Sequence, residues 1–424
     1  MTANMQLRVI LIFMLISILA ACSEETVTSI PASTPTSVKI PMTHEVTENP
    51  VSPSILTPTP RPDCITIAKQ FPEDFQATGK VVLSGALFDS PSLLLALDSG
   101  KKIDLPLGDD ESVLFWMFSV SPDKTRLAYG GASTDQWGKS VDKKIHFITA
   151  NGTEYKVIPM EQDWADFSWL NDTQLLIERL IPEGNFTSSP LLFNLITGQK
   201  QELTIGDSEI MYFDQIEWGL FSLSRTAYNW DLTKVAYPVL GEHHPIRLVD
   251  VRTGKTLADI PTTDYGREPA WSPDGKQLAF ISDIGLMSDA GIHDEVFLIR
   301  ENNQSNRLTY LSKEYPDYVL ITSLAWSPDG QFLAFWMSTD KNAGYRGRRL
   351  TVLDTSTGDV LEYCDPGSLV SFSDPVWSPD GKYLLIGLSN DRQDNLHSVV
   401  LIINSVTGEV FQIAEDYQPM GWLK

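Results

Sequence analysis

One short segment occurs three times in the second half of the chain. Its copies occupy residues 270–275, 325–330 and 376–381, and each contains Trp-Ser-Pro-Asp-Gly. A repeat at this spacing indicates that one supersecondary unit is built several times, so the unit decides the fold.

The chemistry of the repeat describes that unit. Residues 269–271 suit a strand, the Ser-Pro-Asp-Gly that follows is typical of a tight turn, and residues 277–281 suit a second strand. Residues 295–299 and 306–310 supply two more strands before the next copy begins. Each repeat therefore predicts four short strands, here called a, b, c and d.

Three weaker copies precede the clear ones, at residues 120–124, 169–172 and 228–231. The aromatic or equivalent positions of the six copies are 43 to 59 residues apart: Val120, Trp169, Tyr228, Trp271, Trp326 and Trp377. About 40 to 50 residues is typical of one four-stranded blade of a β-propeller.

The two ends of the chain complete the pattern. Residues 80–87, 92–97 and 102–107 resemble strands b, c and d without a strand a, and residues 420–424 resemble a final strand a. Joined, they make a seventh blade and leave the ring without an open seam. We therefore predict an all-β, seven-bladed β-propeller of four-stranded antiparallel blades, in preference to six or eight blades.

The Trp-Ser-Pro-Asp-Gly units followed by Leu-Ala-Phe resemble the repeats of TolB-type, WD40-like bacterial propellers, over about residues 80–424. Three units match closely and three loosely. The motif consists of turn and packing residues, so the resemblance implies a fold and no particular activity. The family includes partner-binding periplasmic proteins and propellers attached to enzymes.

The residues before the repeats predict export and anchoring. Arg8 precedes an apolar run at 9–16, and Leu19-Ala20-Ala21-Cys22 resembles a lipoprotein signal, so residues 1–22 are interpreted as a signal peptide with Cys22 as the lipidated residue. A transmembrane anchor is the alternative, but the apolar run is short for a span. Multiple acyl chains on one residue anchor stably. We expect an extracytoplasmic protein held at the plasma membrane or outer membrane by its lipid alone.

A Ser/Thr/Pro-rich stretch at 23–62 predicts a disordered tether, and 63–424 is interpreted as the propeller. Beyond Cys22 the chain has only Cys64 and Cys364. In an exported protein these are expected to pair. The bridge would fix the lead-in segment, residues 64–71, against the outer edge of the blade that ends near 362–364. Two buried free thiols are the alternative.

The formal net charge of −23 is spread along the chain. It opposes binding to nucleic acid and to anionic lipid by surface charge, and it tolerates a cationic partner. We expect a monomer.

The order of strands divides the loops between two faces. The a–b and c–d turns are short, whereas the b–c and d–a connections vary in length, and variable loops on a rigid scaffold are typical sites of recognition. Tyr, Trp and Arg dominate binding hot spots. The candidate ligand-binding residues on the b–c and d–a face are Trp137, Trp164, Tyr265, Arg267, His293, Tyr315, Tyr318, Tyr345 and Arg346.

An acidic rim is the second candidate. Asp166, Glu268 and Asp374 each lie three residues before the aromatic of a strand a, at the predicted channel mouth. They suit a cation or a basic peptide end, or serve only solvation and strand-end capping. Met117, Arg225, Ser323 and Pro419 occupy this position in the other blades, so the ring of carboxylates is incomplete.

No catalytic motif accompanies the repeats: there is no Gly-x-Ser-x-Gly elbow, no His-x-x-x-His pair and no Cys-x-x-Cys. We expect no cofactor and no metal. The leading hypothesis is a non-enzymatic module that binds a protein, peptide or envelope polymer. The alternative is a glycan hydrolase or lyase with carboxylates at the channel mouth, and a structural spacer is a third reading.

Overall fold

The chain divides into two compact units, Met1–Thr57 and Pro58–Lys424. The computed structural model describes residues of the second unit: 67–68, 75–85, 91–135, 140–161, 164–179, 190–203, 227–238, 246–260, 267–283, 292–300, 303–342, 348–363, 369–371, 373–390 and 398–424. Within the part of the chain that it describes, no helix has the length and apolar character of a membrane span.

Seven separate sheets make seven blades, and every pairing inside the four-stranded units is antiparallel. The chain begins with β1 Ile67–Ala68, and blades 1 to 3 follow: blade 1 has β2 Lys80–Ser84, β3 Leu93–Ala96 and β4 Lys102–Asp104; blade 2 has β5 Glu111–Val120, β6 Arg126–Thr134, β7 Ser140–Thr149 and β8 Glu154–Pro159; blade 3 has β9 Trp164–Asn171, β10 Gln174–Arg179, β11 Leu191–Asn194 and β12 Lys200–Glu202. Blade 4 has β13 Ala227–Tyr228, β14 Lys234–Pro238, β15 Ile246–Asp250 and β16 Thr256–Ile260; blade 5 has β17 Arg267–Trp271, β18 Leu278–Asp283, β19 Asp294–Ile299 and β20 Ser305–Arg307; blade 6 has β21 Leu320–Trp326, β22 Phe332–Ser338, β23 Arg349–Asp354 and β24 Val360–Tyr363. Blade 7 has β25 Leu369–Ser371, β26 Val376–Trp377, β27 Tyr383–Asn390, β28 Ser398–Asn404 and β29 Val410–Glu415, and the last strand, β30 Gln418–Leu423, returns to blade 1. A single short helix, α1 Leu311–Glu314, is present among the described residues.

The last strand closes the ring as predicted. β30 pairs antiparallel with β2, from Lys80 opposite Leu423 to Ser84 opposite Gln418. Trp422 is buried, donates its indole N–H to the carbonyl of Thr78 at 2.9 Å and stacks on Tyr383 of blade 7. The predicted fold class is therefore confirmed.

The hydrophobic core is divided among the interfaces between blades. The described residues form seven apolar clusters, and each combines side chains from two neighbouring blades. Blade 1 is held on both sides: Val81 and Leu83 pack with blade 7, and Val82 packs with Leu127 and Tyr129 of blade 2. Because adjacent blades bury each other's faces, the ring needs no other core.

The repeated tryptophan connects each blade to the one before it. The indole N–H donates to a strand-a carbonyl of the preceding blade, one residue before the equivalent position of that strand. The pairs are Trp169 to Ser119 (3.1 Å), Trp271 to Ala227 (2.8 Å), Trp326 to Ala270 (2.9 Å) and Trp377 to Ala325 (3.0 Å). The residue that defines the repeat is therefore a contact between blades as well as a packing residue.

Replacing Trp326 with phenylalanine is expected to lower the free energy of unfolding by about 1–2 kcal/mol, because the Ala270 carbonyl loses its donor. Urea denaturation of the two proteins measures the difference. Equal stability would mean that this indole bond contributes nothing to the ring.

The turn after each tryptophan satisfies its own polar groups. In blade 5 the Ser272 hydroxyl donates to Asp274 at 2.6 Å and accepts the Gln277 N–H at 3.0 Å, while Gly275 has φ 69°. Lys124 and Leu232 take this left-handed position in two weaker copies, with φ 61° and 57°. The turn therefore keeps its backbone conformation in copies that lack the glycine, which explains why the loose copies still form blades.

The lead-in segment lies against a different blade from the one expected. Ile67 and Ala68 pair in parallel with Val410 and Phe411 of β29, on the outer edge of blade 7 rather than at the end of β24. The connection from Ala68 to blade 1 is short, and blade 7 is the neighbour of blade 1, so this edge is within reach. Cys64 and Cys364 lie outside the described residues, and their pairing stays a prediction.

Candidate binding face

The two faces of the ring are built differently. On the face of the a–b and c–d turns, the short turns close on themselves, as where Gly254, Gly358 and Gly408 donate their N–H groups to carbonyls four residues back at 2.8–2.9 Å. The b–c and d–a connections lie on the opposite face. The described parts of that face include the d–a connections at 105–110 and 308–319, and most of its other residues lie outside the described ranges.

Several of the predicted ligand-binding residues also lie outside the described ranges. Trp137, Tyr265, Tyr345 and Arg346 lie outside the described residues, as does Cys22, and Arg267 begins β17 but its side chain is not described. The structure places the other four: Trp164, His293, Tyr315 and Tyr318.

Trp164 is buried, contrary to the expectation of an exposed side chain. Only 2% of it is accessible. It begins β9 and packs in the cluster between blades 2 and 3, with Phe193 at 6.4 Å between ring centroids and the Lys200 ammonium 5.1 Å from its ring. Its apolar surface is used within the fold.

The other three lie in or against the d–a connection between blades 5 and 6, which contains α1. The imidazole Nε2 of His293 lies 2.7 Å from the carbonyl of Pro316, and its backbone N–H donates to Asp283 at 3.0 Å. Tyr318 is half-buried in the same connection. His293 therefore holds the connection against the start of β19.

Tyr315 ties this connection to blade 6. Its hydroxyl donates to the Glu362 carboxylate, with oxygens at 2.8 and 3.0 Å, and the Arg349 guanidinium donates to the same carboxylate at 3.0 Å. Burial and the adjacent Glu362 carboxylate raise the pKa of Tyr315 to about 12. The tyrosine is thus a neutral donor that positions the loop at neutral pH.

A buried carboxylate that the sequence analysis did not identify organises the same connection. Glu295 has no exposed side-chain surface. It accepts from Arg307 Nη2 at 2.6 Å, from the N–H groups of Leu311 and Ser312 at 3.0 and 2.9 Å, and from the Thr309 hydroxyl. Its neighbour Asp294 is also buried and accepts the Ile321 N–H at 2.8 Å. Two acidic residues at the start of an apolar strand were the available signal in the sequence.

A second charged cluster that the sequence analysis missed lies within blade 2. Glu111 Oε2 is 3.2 Å from His146 Nε2, and His146 Nδ1 is 2.8 Å from Glu154. Burial opposes ionisation of Glu111, but hydrogen bonds from Lys144 and from the Gly108 N–H lower its pKa below the ordinary value. These charges are compensated inside the blade.

The acidic rim does not form a regular ring. Asp166 is half-buried and accepts the Phe167 N–H at 2.8 Å, Asp374 is exposed, and the side chain of Glu268 is not described. The pairing of the inner strand with strand b shifts at this level, between Val113 and Phe118 and between Thr322 and Ala325 among other places. A bulge redirects side chains, so counting three residues back does not give one direction in every blade. Among the described residues, no group of three or more His, Cys, Asp or Glu side chains is arranged to hold a metal ion.

These features define a closed seven-bladed β-propeller of four-stranded antiparallel blades. The sequence matches no protein-family model. Dipeptidyl-peptidase 5 of Porphyromonas gingivalis is 27% identical over 176 residues, which is 39% of this chain and 24% of that protein. The chain spans less than a third of the length of the curated relatives that it matches.

Two solved structures are among those similar to this chain. An oligogalacturonate lyase in complex with manganese has a TM-score of 0.51 at 14% identity, covering 79% of this chain and 85% of that chain. A putative TolB from Agrobacterium tumefaciens has a TM-score of 0.41 at 14% identity, covering 61% of this chain and 84% of that chain. At 14% identity, the likeness to the lyase is one of fold alone.

Proposed function

We propose that this protein is a membrane-tethered, extracytoplasmic propeller that binds a protein, peptide or envelope polymer through its b–c and d–a face. The observation that carries the proposal is the asymmetry of the two faces. One face consists of short turns that satisfy their own hydrogen bonds, and the other holds the connections of variable length.

The described part of the proposed face is a rigid support. Glu295, Glu362 and Glu111 each accept hydrogen bonds from donors within the fold, and these fix the connections at 308–319 and 105–111. Carboxylates used in this way hold loops in place, whereas a catalytic acid–base pair has to face substrate. A fixed loop loses little entropy when a partner binds.

The variant Tyr345→Ala/Arg346→Ala tests the binding face. We expect it to reduce capture of crosslinked envelope partners at least about 10-fold, as loss of two hot-spot residues would. Crosslinking and pull-down from the native envelope measures capture. Val406→Ala, on the opposite face and 83% exposed, is the control. Equal capture by the double variant and the control would show that the binding site does not include Tyr345 and Arg346.

A propeller enzyme acting on a glycan is the competing proposal. The similarity of fold to an oligogalacturonate lyase makes acidic oligosaccharides the first substrates to assay. If the protein turns over such a substrate, and Tyr345→Ala/Arg346→Ala turns it over at the same rate, the enzyme proposal replaces the binding proposal.

Anchoring through Cys22 is proposed together with binding, with residues 23–62 as the tether. Cys22→Ala should abolish incorporation of labelled palmitate and release the protein from the membrane fraction. Continued labelling of the variant would rule out Cys22 as the lipid attachment site. We further propose that the protein is a monomer and does not bind nucleic acid, in keeping with its net charge of −23.

A further inference from the structure

The interface between blades 3 and 4 lacks the indole bond that joins four other pairs of blades. In those pairs a tryptophan indole donates to a strand-a carbonyl of the preceding blade at 2.8–3.1 Å. In blade 4 the tryptophan position is Tyr228, which pairs with Val235 as Trp271 pairs with Leu278. A tyrosine has no indole N–H. The carbonyl of Ser168, at the accepting position of blade 3, therefore receives no such bond from Tyr228.

The contact that the structure describes between blades 3 and 4 is an apolar cluster. Its buried members are Leu170, Leu176, Leu192 and Leu203 of blade 3 and Tyr228, Val235, Tyr237 and Val249 of blade 4. Apolar packing is non-directional, whereas a hydrogen bond fixes one group relative to another. These two faces can therefore part without first breaking an indole bond to the main chain.

Blade 4 is held instead to the blade that follows it. The indole N–H of Trp271 in blade 5 donates to the carbonyl of Ala227 in blade 4 at 2.8 Å. In the opposite direction, the indole N–H of Trp230 in blade 4 donates to the carbonyl of Asp274 in blade 5 at 2.7 Å. Two indole bonds thus join blades 4 and 5.

Blade 3 is held in a similar way to the blade that precedes it. Trp169 donates its backbone N–H to the Ser119 hydroxyl at 2.9 Å and its indole N–H to the Ser119 carbonyl at 3.1 Å. The Asp123 N–H of blade 2 donates to the Asp172 carboxylate of blade 3 at 3.2 Å. These bonds of blades 3 and 4 lie on the sides away from the interface that the two blades share.

The two interfaces of blade 1 are joined by other bonds. Towards blade 2, the Lys424 N–H donates to the carbonyl of Lys124 at 2.7 Å. Towards blade 7, the carbonyl of Tyr417, directly before β30, accepts the Ser398 hydroxyl at 2.9 Å. The chain also crosses between blades 7 and 1 twice, once after β1 and once before β30. Apolar packing as the described contact therefore distinguishes the interface of blades 3 and 4.

We propose that the interface between blades 3 and 4 is a built-in opening of the ring. The two blades part there as rigid sheets, each keeping its own strand pairing, while the other six interfaces stay closed. The closed ring becomes an open arc, and its central channel becomes accessible from the side. This conformational device belongs to the ring itself and does not depend on what the b–c and d–a face binds.

Strand b supplies one matched probe position for each interface. Val235, Leu278, Leu333 and Leu384 each pair with the residue at the tryptophan position, are 0% exposed and pack in the cluster shared with the preceding blade. Each is replaced by cysteine in the full-length chain, which is treated with N-ethylmaleimide in detergent micelles without denaturant. Mass spectrometry of peptides measures labelling at the new thiol alone, apart from the three natural cysteines.

We expect Val235→Cys to be labelled at least about 5-fold faster than the other three variants, the factor that one net hydrogen bond contributes to an opening equilibrium. Replacing leucine with cysteine removes more volume than replacing valine does. Any loosening caused by the substitution itself therefore favours the three leucine variants and opposes the expected result.

Exchanging the two aromatic residues tests the cause. Tyr228→Trp should slow labelling of Val235→Cys by about 5-fold, and Trp326→Tyr should speed labelling of Leu333→Cys by about as much. If the larger side chain of Tyr228→Trp does not fit and lowers the melting temperature, the Trp326→Tyr comparison decides. Equal labelling rates for the four cysteine variants would overturn the proposal. Labelling of Val235→Cys no faster than global unfolding, or no effect of Trp326→Tyr on Leu333→Cys, would overturn it as well.

Discussion

Trp422→Ala is expected to lower the free energy of unfolding by about 3–5 kcal/mol, the cost typical of removing a buried tryptophan. The side chain is 1% exposed, packs in the cluster between blades 7 and 1 and donates to the carbonyl of Thr78. Its loss leaves a cavity at the point where the two ends of the chain meet. Chemical denaturation with intrinsic fluorescence and circular dichroism measures the change.

Trp230→Ala is the matched control. Trp230 is 51% exposed in the a–b turn of blade 4, and its indole N–H donates to the carbonyl of Asp274 in the a–b turn of blade 5. We expect a loss of about 1 kcal/mol or less there. Similar losses for both variants would show that ring closure has no special weight in the stability of the propeller.

Glu295→Gln is expected to cost about 3–5 kcal/mol, because it removes the charge from a buried pair and leaves Arg307 without its anion. The glutamine amide keeps one acceptor oxygen, so its NH2 group faces the N–H of either Leu311 or Ser312 and leaves that donor without an acceptor. Denaturation measures the stability, and hydrogen exchange of residues 308–319 should rise more than that of blade 2.

Asp317→Asn, in the same connection and exposed, controls for the change of charge. It should alter stability by no more than about 0.5 kcal/mol. Unchanged stability of Glu295→Gln would contradict the interpretation of this carboxylate as the residue that organises the connection.

The fold was predictable because the repeat is a local signal. The turn residues Ser272, Pro273 and Asp274 and the strand after them specify a hairpin without reference to distant residues, and the spacing of the copies then predicts blades. The closing pair was also predictable, since residues 80–84 lacked a strand a and residues 420–423 had one. Even the copies with Lys124 and Leu232 at the glycine position keep the turn geometry.

The side chains of the face were much less predictable. Trp164 was expected to be exposed, but its burial depends on Phe193 and Lys200 of its own blade and on the apolar side chains of blade 2 that pack against blade 3. The role of Glu295 depends on Arg307 and on the backbone of α1. The residue pattern of β19 alone does not show either contact. The lead-in segment pairs through its backbone with β29 of blade 7, and residues 64–71 alone carry no signal that selects this edge.

Hydrogen exchange at the seam tests the closed ring most directly. The amides of residues 81–83 and 421–423 should be protected together, with one common free energy of opening, because they belong to one sheet. Trp422→Ala should weaken both sets together and leave residues 333–337 of blade 6 protected for longer. Exchange of residues 81–83 or 421–423 at the rate of an unstructured chain, or protection of one set without the other, would contradict a propeller closed by its two ends.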